Sequence, residues 1–319
     1  MADTNVSRAV ALCTSETGSL HVTLIGLAVL EGPPKRSKRG ALGFWFRLRD
    51  AGYASGLRVG YYRDDAAEVY AALSAREVAV LEVHGELKRG DGDAEPVLFA
   101  DKLLNRDLPA EDYMPAPSIP VEESWAEIEA AVAKLPEGSV LRRLTNCMLD
   151  LHGASLRRWA AATSYHEPTV GGLAEHVCRM LRLAEVDIAE YGAPEPYPSR
   201  LRAGVIWHDI GKVYTYGPPP VNAYLPAETL FTHSLTGCFL VIECARSEGL
   251  WYKWWGEPEI QALLHMIASH HGRQEWGALV EPRTPEARAL HVIDMHESKR
   301  AHSELARREG HPASDEHAF

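Results

Sequence analysis

With 319 residues, 46% of them hydrophobic, and a formal net charge of −11, the chain has room for one large or two medium globular domains and lacks a global basic field to draw in nucleic acid. No apolar run approaches the roughly 20 residues needed to cross a bilayer, and "MADTNVSRAV" lacks the basic-then-apolar pattern of a secretory signal, so a soluble cytoplasmic protein with no membrane partner is expected. The five cysteines (Cys13, Cys147, Cys178, Cys238 and Cys244) are odd in number and never fall as C-x-x-C, which argues against a zinc ribbon or a disulfide framework.

Residues 6–108 read as β-rich. "SLHVTLIGLAVLEG", "GFWFRLRDAG", "SGLRVGYYRD", "EVAVLEVHGELKRGDG" and "PVLFADKLL" are short β-branched or aromatic runs broken by turn residues, and several alternate apolar with polar. "GDGD" at 90–93 suits the turn between the last two. About five strands in about 100 residues predict a small closed barrel or sandwich, and the helical "DAAEVYAALSA" falls where an OB-type barrel often carries a helix. In "GPPKRSKRGALGFWF", Lys35, Arg36, Lys38 and Arg39 precede Phe44, Trp45 and Phe46. Basic groups that track phosphates beside rings that stack on bases are the usual equipment for single-stranded nucleic acid, and alternation sets Trp45 on the face opposite Phe44 and Phe46. A solvated hairpin loop with its aromatics in the core is the plainer alternative.

A proline-rich linker over 113–122, within "LPAEDYMPAPSIPVEES", separates this barrel (1–112) from a helical domain (123–319). "VEESWAEIEAAVAKL", "GSVLRRLTNCMLDLHG", "GGLAEHVCRMLRLAEVDIAEYG", "LTGCFLVIECARSEG", "EPEIQALLHMIASHHG" and "TPEARALHVIDMHESKRAHSELARREG" all carry helical apolar spacing. "LWYKWWGEP" holds Trp251, Tyr252, Trp254 and Trp255, read as packing rather than as a stacking surface, and the polar end "EGHPASDEHAF" should fray. The fold class expected is therefore α+β and multidomain, an OB-like β-barrel followed by an all-α domain.

The chemistry gathers in the second part, since thirteen of the fifteen histidines follow residue 113. His176 in "GGLAEHV", His208 and Asp209 in "GVIWHDIGK", His233 in "LFTHSLTG", His270 and His271 in "IASHHG", and Asp294 in "HVIDMHESK" lie inside or at the edge of apolar helical segments. A lone inward histidine is usually a hydrogen-bonded core residue, and His265, His291, His296 and His302 are assigned to that class or to solvent. The ordered set is another matter. Imidazoles with carboxylates and no thiolates suit a borderline or hard divalent ion, seven ligands exceed the needs of one metal, and Asp209 could bridge two. A buried aspartate needs such a partner. Two ions can activate water for displacement at phosphorus, with Lys212, three residues beyond Asp209, offered to a phosphate oxygen.

The stretches "YHEPTVGGLAEHV", "AGVIWHDIGKV", "LFTHSLTG", "LLHMIASHHGRQEWG" and "TPEARALHVIDMHESK" resemble the HD phosphohydrolase superfamily, and with the β-rich N-terminus they resemble most the YhaM-type 3′-5′ exoribonucleases. The resemblance implies an OB-fold plus an HD domain, and a metal-dependent phosphodiesterase that degrades single-stranded RNA, or DNA, from the 3′ end. It implies one cation on His176, His208, Asp209 and Asp294 and a second on Asp209, His233, His270 and His271. Manganese is the ion expected, with iron, magnesium, cobalt or nickel as alternatives. It further implies Asp209 and Lys212 as the catalytic pair, a place for His166 near the site, and assembly into a homo-oligomer. An HD hydrolase of small nucleotides or cyclic dinucleotides, or a non-catalytic nucleic-acid scaffold, are the rival readings. Two departures stand out: "HVIDMHESK" where the family tends to read "HYIDNLDAK", and the bulky "AYLPAETLFTH" where its approach to His233 is glycine-rich.

Overall fold

The computed structural model describes residues 6–15, 19–76, 78–89, 95–114, 116–162, 169–220, 222–250 and 257–308. The turn expected at 90–93, His166, the cluster at 251–255 and the C-terminal end from 309 lie outside the described residues. The chain divides into two compact units, Met1–Ala116 and Pro117–Arg307.

The first unit is a barrel. Helix α1 (Val6–Ser15) precedes β1 (Ser19–Leu30), the two-residue β2 (Lys35–Arg36), β3 (Leu42–Asp50) and β4 (Tyr53–Tyr61); α2 (Ala66–Ser74) then leads to β5 (Ala79–Lys88) and β6 (Val97–Arg106). Strands run in the order β1-β5-β6-β4-β3, and a β1–β3 pairing of Leu27–Leu30 with Arg49–Phe46 closes the ring. All pairings are antiparallel except β4 with β6. This is the five-stranded Greek-key closure of an OB-like barrel, with α2 between its third and fourth long strands. Alternation does the sorting: Phe44, Phe46 and Leu48 are buried in the core with Leu24, Leu81 and Val83, while Trp45 and Arg47 face outward. β1 must pair with β5 and β3 in turn, and Gly26 sits where it switches. A Cβ there would lie 2.4 Å from the Arg49 carbonyl oxygen, a distance no side chain tolerates.

One element departs from the β-rich reading. Residues 6–15 form a helix whose Val6, Ala9, Val10 and Cys13 are buried in the barrel core, and the Val6 amide donates to the Asp50 carboxylate (2.5 Å) at its first turn. The spacing 6, 9, 10, 13 is helical, and a carboxylate at a helix N-terminus satisfies an otherwise orphan donor.

In the second unit, α3 (Val121–Ala133), α4 (Val140–Leu156), α5 (Gly172–Tyr191), α6 (Tyr197–Trp207), the one-turn α7 (Lys212–Thr215), α8 (Pro226–Ser247), α9 (Pro258–Ser269) and α10 (Pro285–Arg308) pack round one core. Helix α6 lies at its centre. Leu201, Ala203, Val205, Ile206 and Trp207 are all buried, and Trp207 Nε1 donates to Thr145 Oγ1 of α4 (3.2 Å). Residues 201–207 of this helix are buried on every side, so whatever follows its C-terminus is carried into the interior. The approach to α3 is tied down as well: buried Glu175 accepts from the backbone amides of Ser118 and Ile119 (3.1 and 3.2 Å) and from Arg179 (2.7 Å). No helix among the described residues is long and apolar enough to cross a membrane.

Candidate metal centre

Helix α6 delivers His208 and Asp209 directly after Trp207, at 0% and 4% exposure. The chain then continues through the turn at 208–211 into α7. A Cβ on Gly211 would stand 2.0 Å from the carbonyl oxygen of His233, so only glycine lets α7 and α8 approach closely enough to bring His233 beside Asp209. Helix α5 supplies His176, the C-terminal end of α9 supplies His270 and His271, and α10 supplies Asp294.

The seven side chains converge, and the two oxygens of Asp209 divide them. Oδ2 lies 3.3 Å from His208 Nε2 and 3.9 Å from His176 Nε2, which is itself 3.3 Å from Asp294 Oδ1. Oδ1 lies 3.4 Å from His233 Nε2 and 3.7 Å from His270 Nε2, and the Nε2 atoms of His233 and His271 are 3.2 Å apart. Two groups capable of holding a cation result, His176–His208–Asp209 and His233–His270–His271, the ligand atoms of each lying within 4.8 Å of one another.

Hydrogen bonds behind the rings aim them. Nδ1 of His208 donates to the Val205 carbonyl (2.8 Å) and Nδ1 of His270 to the Ile267 carbonyl (2.7 Å), so in the neutral ring each Nε2 is the acceptor nitrogen. Both Nε2 atoms are buried and have no hydrogen-bond partner among the described residues. Buried polar atoms are seldom left this way. A lone pair turned inward on an acidic neighbour, with no donor to meet it, fits a cation between them. His291, placed with the hydrogen-bonded core histidines, supports the same helix end by donating from Nδ1 to the His270 carbonyl (2.8 Å).

Electrostatics agree. Burial holds His270 well below the ordinary imidazole value, and burial, with His233 adding to it, lowers His271 to about 4, so both are neutral donors at pH 7. Burial pushes Asp209 up, but the Lys212 ammonium together with the imidazoles round it holds the carboxyl well below its usual range. Burial pushes Asp294 up as well, but its hydrogen bond with His176 and the neighbouring His208 and His270 together hold it low. Three carboxylates, Asp209, Asp294 and Glu228, stand among these imidazoles with the ammonium of Lys212. Lys212 Nζ donates to Asp209 Oδ2 (2.6 Å) and to the Ala161 carbonyl (2.7 Å), and it lies 5.6 Å from the centre of the Tyr216 ring. Carboxylates gathered in this way favour divalent cations.

Glu228 was not among the residues read from sequence. Its Oε1 accepts from Nδ1 of His233 at 2.8 Å; burial pushes the carboxyl up, but that bond, with Thr215 and Lys212 adding to it, keeps it low. The link depends on Thr232, whose backbone (φ 58°, ψ 154°) breaks α8 between the two residues. Such a conformation in a β-branched residue costs about 1–3 kcal/mol, and no residue-type pattern announces it.

The barrel residues sort differently from the sequence pattern. Lys35 and Arg36 pair with Gly43 and Leu42, and Lys35, Arg36, Lys38 and Arg39 are all exposed. The ring neighbours of Trp45 come from elsewhere in the barrel: Tyr62, just past β4, and Phe99 of β6 stand edge-on to it at 5.8 and 6.0 Å, and the Arg58 guanidinium of β4 lies 4.4 Å from its centre. Phe99 is 40% exposed, with Lys88 5.6 Å from its ring. Glu31 and Glu86 pair with Arg58 and Lys88 at 2.9 Å each, so the face is aromatic with balanced charge.

Residues 173–298 match the HD domain family. The chain is also similar to proteins described as 3′-5′ exoribonuclease YhaM. It is 34% identical to that of Bacillus subtilis over 194 residues (59% of this chain, 58% of the relative) and 30% identical to that of Bacillus pumilus over 195 residues (61% and 60%). With that of Listeria welshimeri it shares 32% over 186 residues (58% and 57%). The chain thus spans about 60% of the length of these curated relatives. No solved structure matches it. All seven converging side chains fall inside the matched segment: residues 173–298 are an HD domain.

Proposed function

We propose that the chain is a metal-dependent phosphodiesterase that removes nucleotides from the 3′ end of single-stranded RNA. The observation that carries the hydrolytic part is the division of four imidazoles and a second carboxylate between the two oxygens of Asp209. RNA as substrate and the 3′-5′ direction rest on the printed activity of the YhaM relatives. His176, His208, Asp209 and Asp294 would hold one cation, and Asp209, His233, His270 and His271 the other, manganese being the ion we assign. Two such ions lower the pKa of water and offset charge on phosphoryl oxygens.

The chain's own groups do the rest. Asp209 is shared between both positions and keeps them in register. The helix ends of α6 and α9 hold the tautomers of His208 and His270 through their own carbonyls, so no reorganisation is needed when a substrate arrives. Lys212 has three ammonium hydrogens and uses two on Asp209 and Ala161, which leaves one for a phosphoryl oxygen. In the barrel, Trp45 and the exposed basic residues Lys35, Arg36, Lys38 and Arg39 would engage single-stranded RNA by stacking and charge.

The test is a 5′-labelled single-stranded RNA incubated with the purified chain and Mn²⁺. A ladder that shortens from the 3′ end, and is absent with Asp209→Ala, is expected. Hydrolysis of free nucleotides or cyclic dinucleotides with the RNA left intact would overturn the RNA assignment.

A further inference from the structure

The metal reading leaves one question open at the second cluster: what aims His233. His208 and His270 are aimed by carbonyls of their own helices, three residues back. His233 instead turns Nδ1 to a carboxylate, Glu228 Oε1, at 2.8 Å. Five residues separate the two. On a regular helix of 3.6 residues per turn, positions i and i+5 lie about 140° apart and their side chains cannot meet.

The break at Thr232 removes that obstacle. Its φ of 58° and ψ of 154° divide α8 into a short first piece carrying Glu228 and a long second piece that begins with His233. Thr232 closes the second piece from outside. Its Oγ1 accepts from the Leu235 amide (3.4 Å), and its carbonyl accepts from Thr236 Oγ1 (2.9 Å). The first piece is thereby free to swing Glu228 back over the imidazole. Glycine adopts this backbone region without penalty, and threonine does not, so the geometry is held by the structure around it rather than by the residue's own preference.

We propose that Glu228 is a positioning residue for the second metal cluster. It keeps the proton of His233 on Nδ1, directs the Nε2 lone pair towards Asp209 Oδ1 and His271 Nε2, and makes that nitrogen a stronger donor than a carbonyl partner would. Carboxylate–histidine pairs behind a metal ligand act in this way, and losing one typically weakens metal binding by about 10–100-fold. The proposal rests on the two-cation reading. It adds that His233 draws on a charged support, where His208 and His270 are held through backbone carbonyls.

The experiment uses the full-length chain. Mn²⁺ is titrated by calorimetry and by electron paramagnetic resonance into wild type, Glu228→Ala, Glu228→Gln and Glu228→Asp. Histidine tautomers are read in parallel by ¹⁵N NMR on the metal-free proteins. Wild type should bind two ions and show His233 as the Nδ1–H tautomer. Glu228→Ala should lose about 10–100-fold in one affinity and leave the other unchanged, with His233 becoming a tautomer mixture. Glu228→Gln keeps a neutral acceptor and the side-chain volume, and should lose less; Glu228→Asp should recover part of the loss. If wild type binds two ions and Glu228→Ala and Glu228→Gln match it in both affinities and in the His233 tautomer, the role of Glu228 is refuted. A wild-type chain that binds no Mn²⁺ would refute the metal reading itself, and the metal-free tautomer still reports whether Glu228 holds His233.

Discussion

Asp209→Asn keeps the shape of the side chain and removes its charge, which separates metal binding from packing. Asp209 is 4% exposed and paired with Lys212 at 2.6 Å, a lysine whose own side chain is 12% exposed. Breaking a buried pair from one side costs about 3–5 kcal/mol, and because the amide oxygen still accepts from Lys212 the metal-free variant should sit near the low end, about 3 kcal/mol below wild type. The metal increment is the sharper quantity. A ligand at 100 times its Kd stabilises the folded state by about 2.7 kcal/mol, and for a unit the size of Pro117–Arg307 each kcal/mol moves Tm by about 2–4 °C. Mn²⁺ should therefore raise the wild-type melting temperature by about 5–11 °C for each occupied position. Asp209 serves both positions, so the variant should show almost no rise. Differential scanning calorimetry with and without Mn²⁺ measures baseline and increment separately. A rise in Asp209→Asn equal to that of wild type would show that the ions bind elsewhere, whatever happens to the baseline.

Three other outcomes follow from the geometry. Gly211→Ala drives a methyl to within 2.0 Å of the His233 carbonyl and must part α7 from α8; a loss of about 1–3 kcal/mol in urea denaturation, with weakened Mn²⁺ binding, is expected. Glu185 is held at about 2, chiefly by its hydrogen bond from Arg202. A depressed carboxyl contributes stability above its unfolded pKa and loses it as pH falls towards the folded value. Because its side chain is 34% exposed, screening limits the gap between wild type and Glu185→Gln to roughly 1 kcal/mol at pH 7, and denaturation curves should converge as pH approaches 2. Trp45→Ala should weaken binding of a single-stranded RNA by about 1–3 kcal/mol in fluorescence anisotropy while Mn²⁺ affinity stays unchanged; equal RNA affinity would remove Trp45 from the interface.

What sequence could reveal here depended on whether a side chain's role is local. Helix and strand periods marked the barrel strands and most of the helices, and the H, HD, H, HH, D order drew attention to seven residues that do converge. Helix α1 was equally legible in the spacing of Val6, Ala9, Val10 and Cys13, yet its apolar run was absorbed into the β-rich segment that follows. Glu228 was not legible, because its contact with His233 exists only through a backbone break that threonine does not advertise. Nor was the company of Trp45: its neighbours Tyr62 and Phe99 are brought near by the pairing of β3 with β4 and of β4 with β6 rather than by the adjacent loop.

The most direct test of the account is anomalous X-ray scattering from crystals of the Mn²⁺-loaded chain. Two peaks are predicted, one among His176, His208, Asp209 and Asp294 and one among Asp209, His233, His270 and His271, with an Asp209 oxygen turned to each. A single peak away from Asp209, or no peak among these seven side chains, would contradict it.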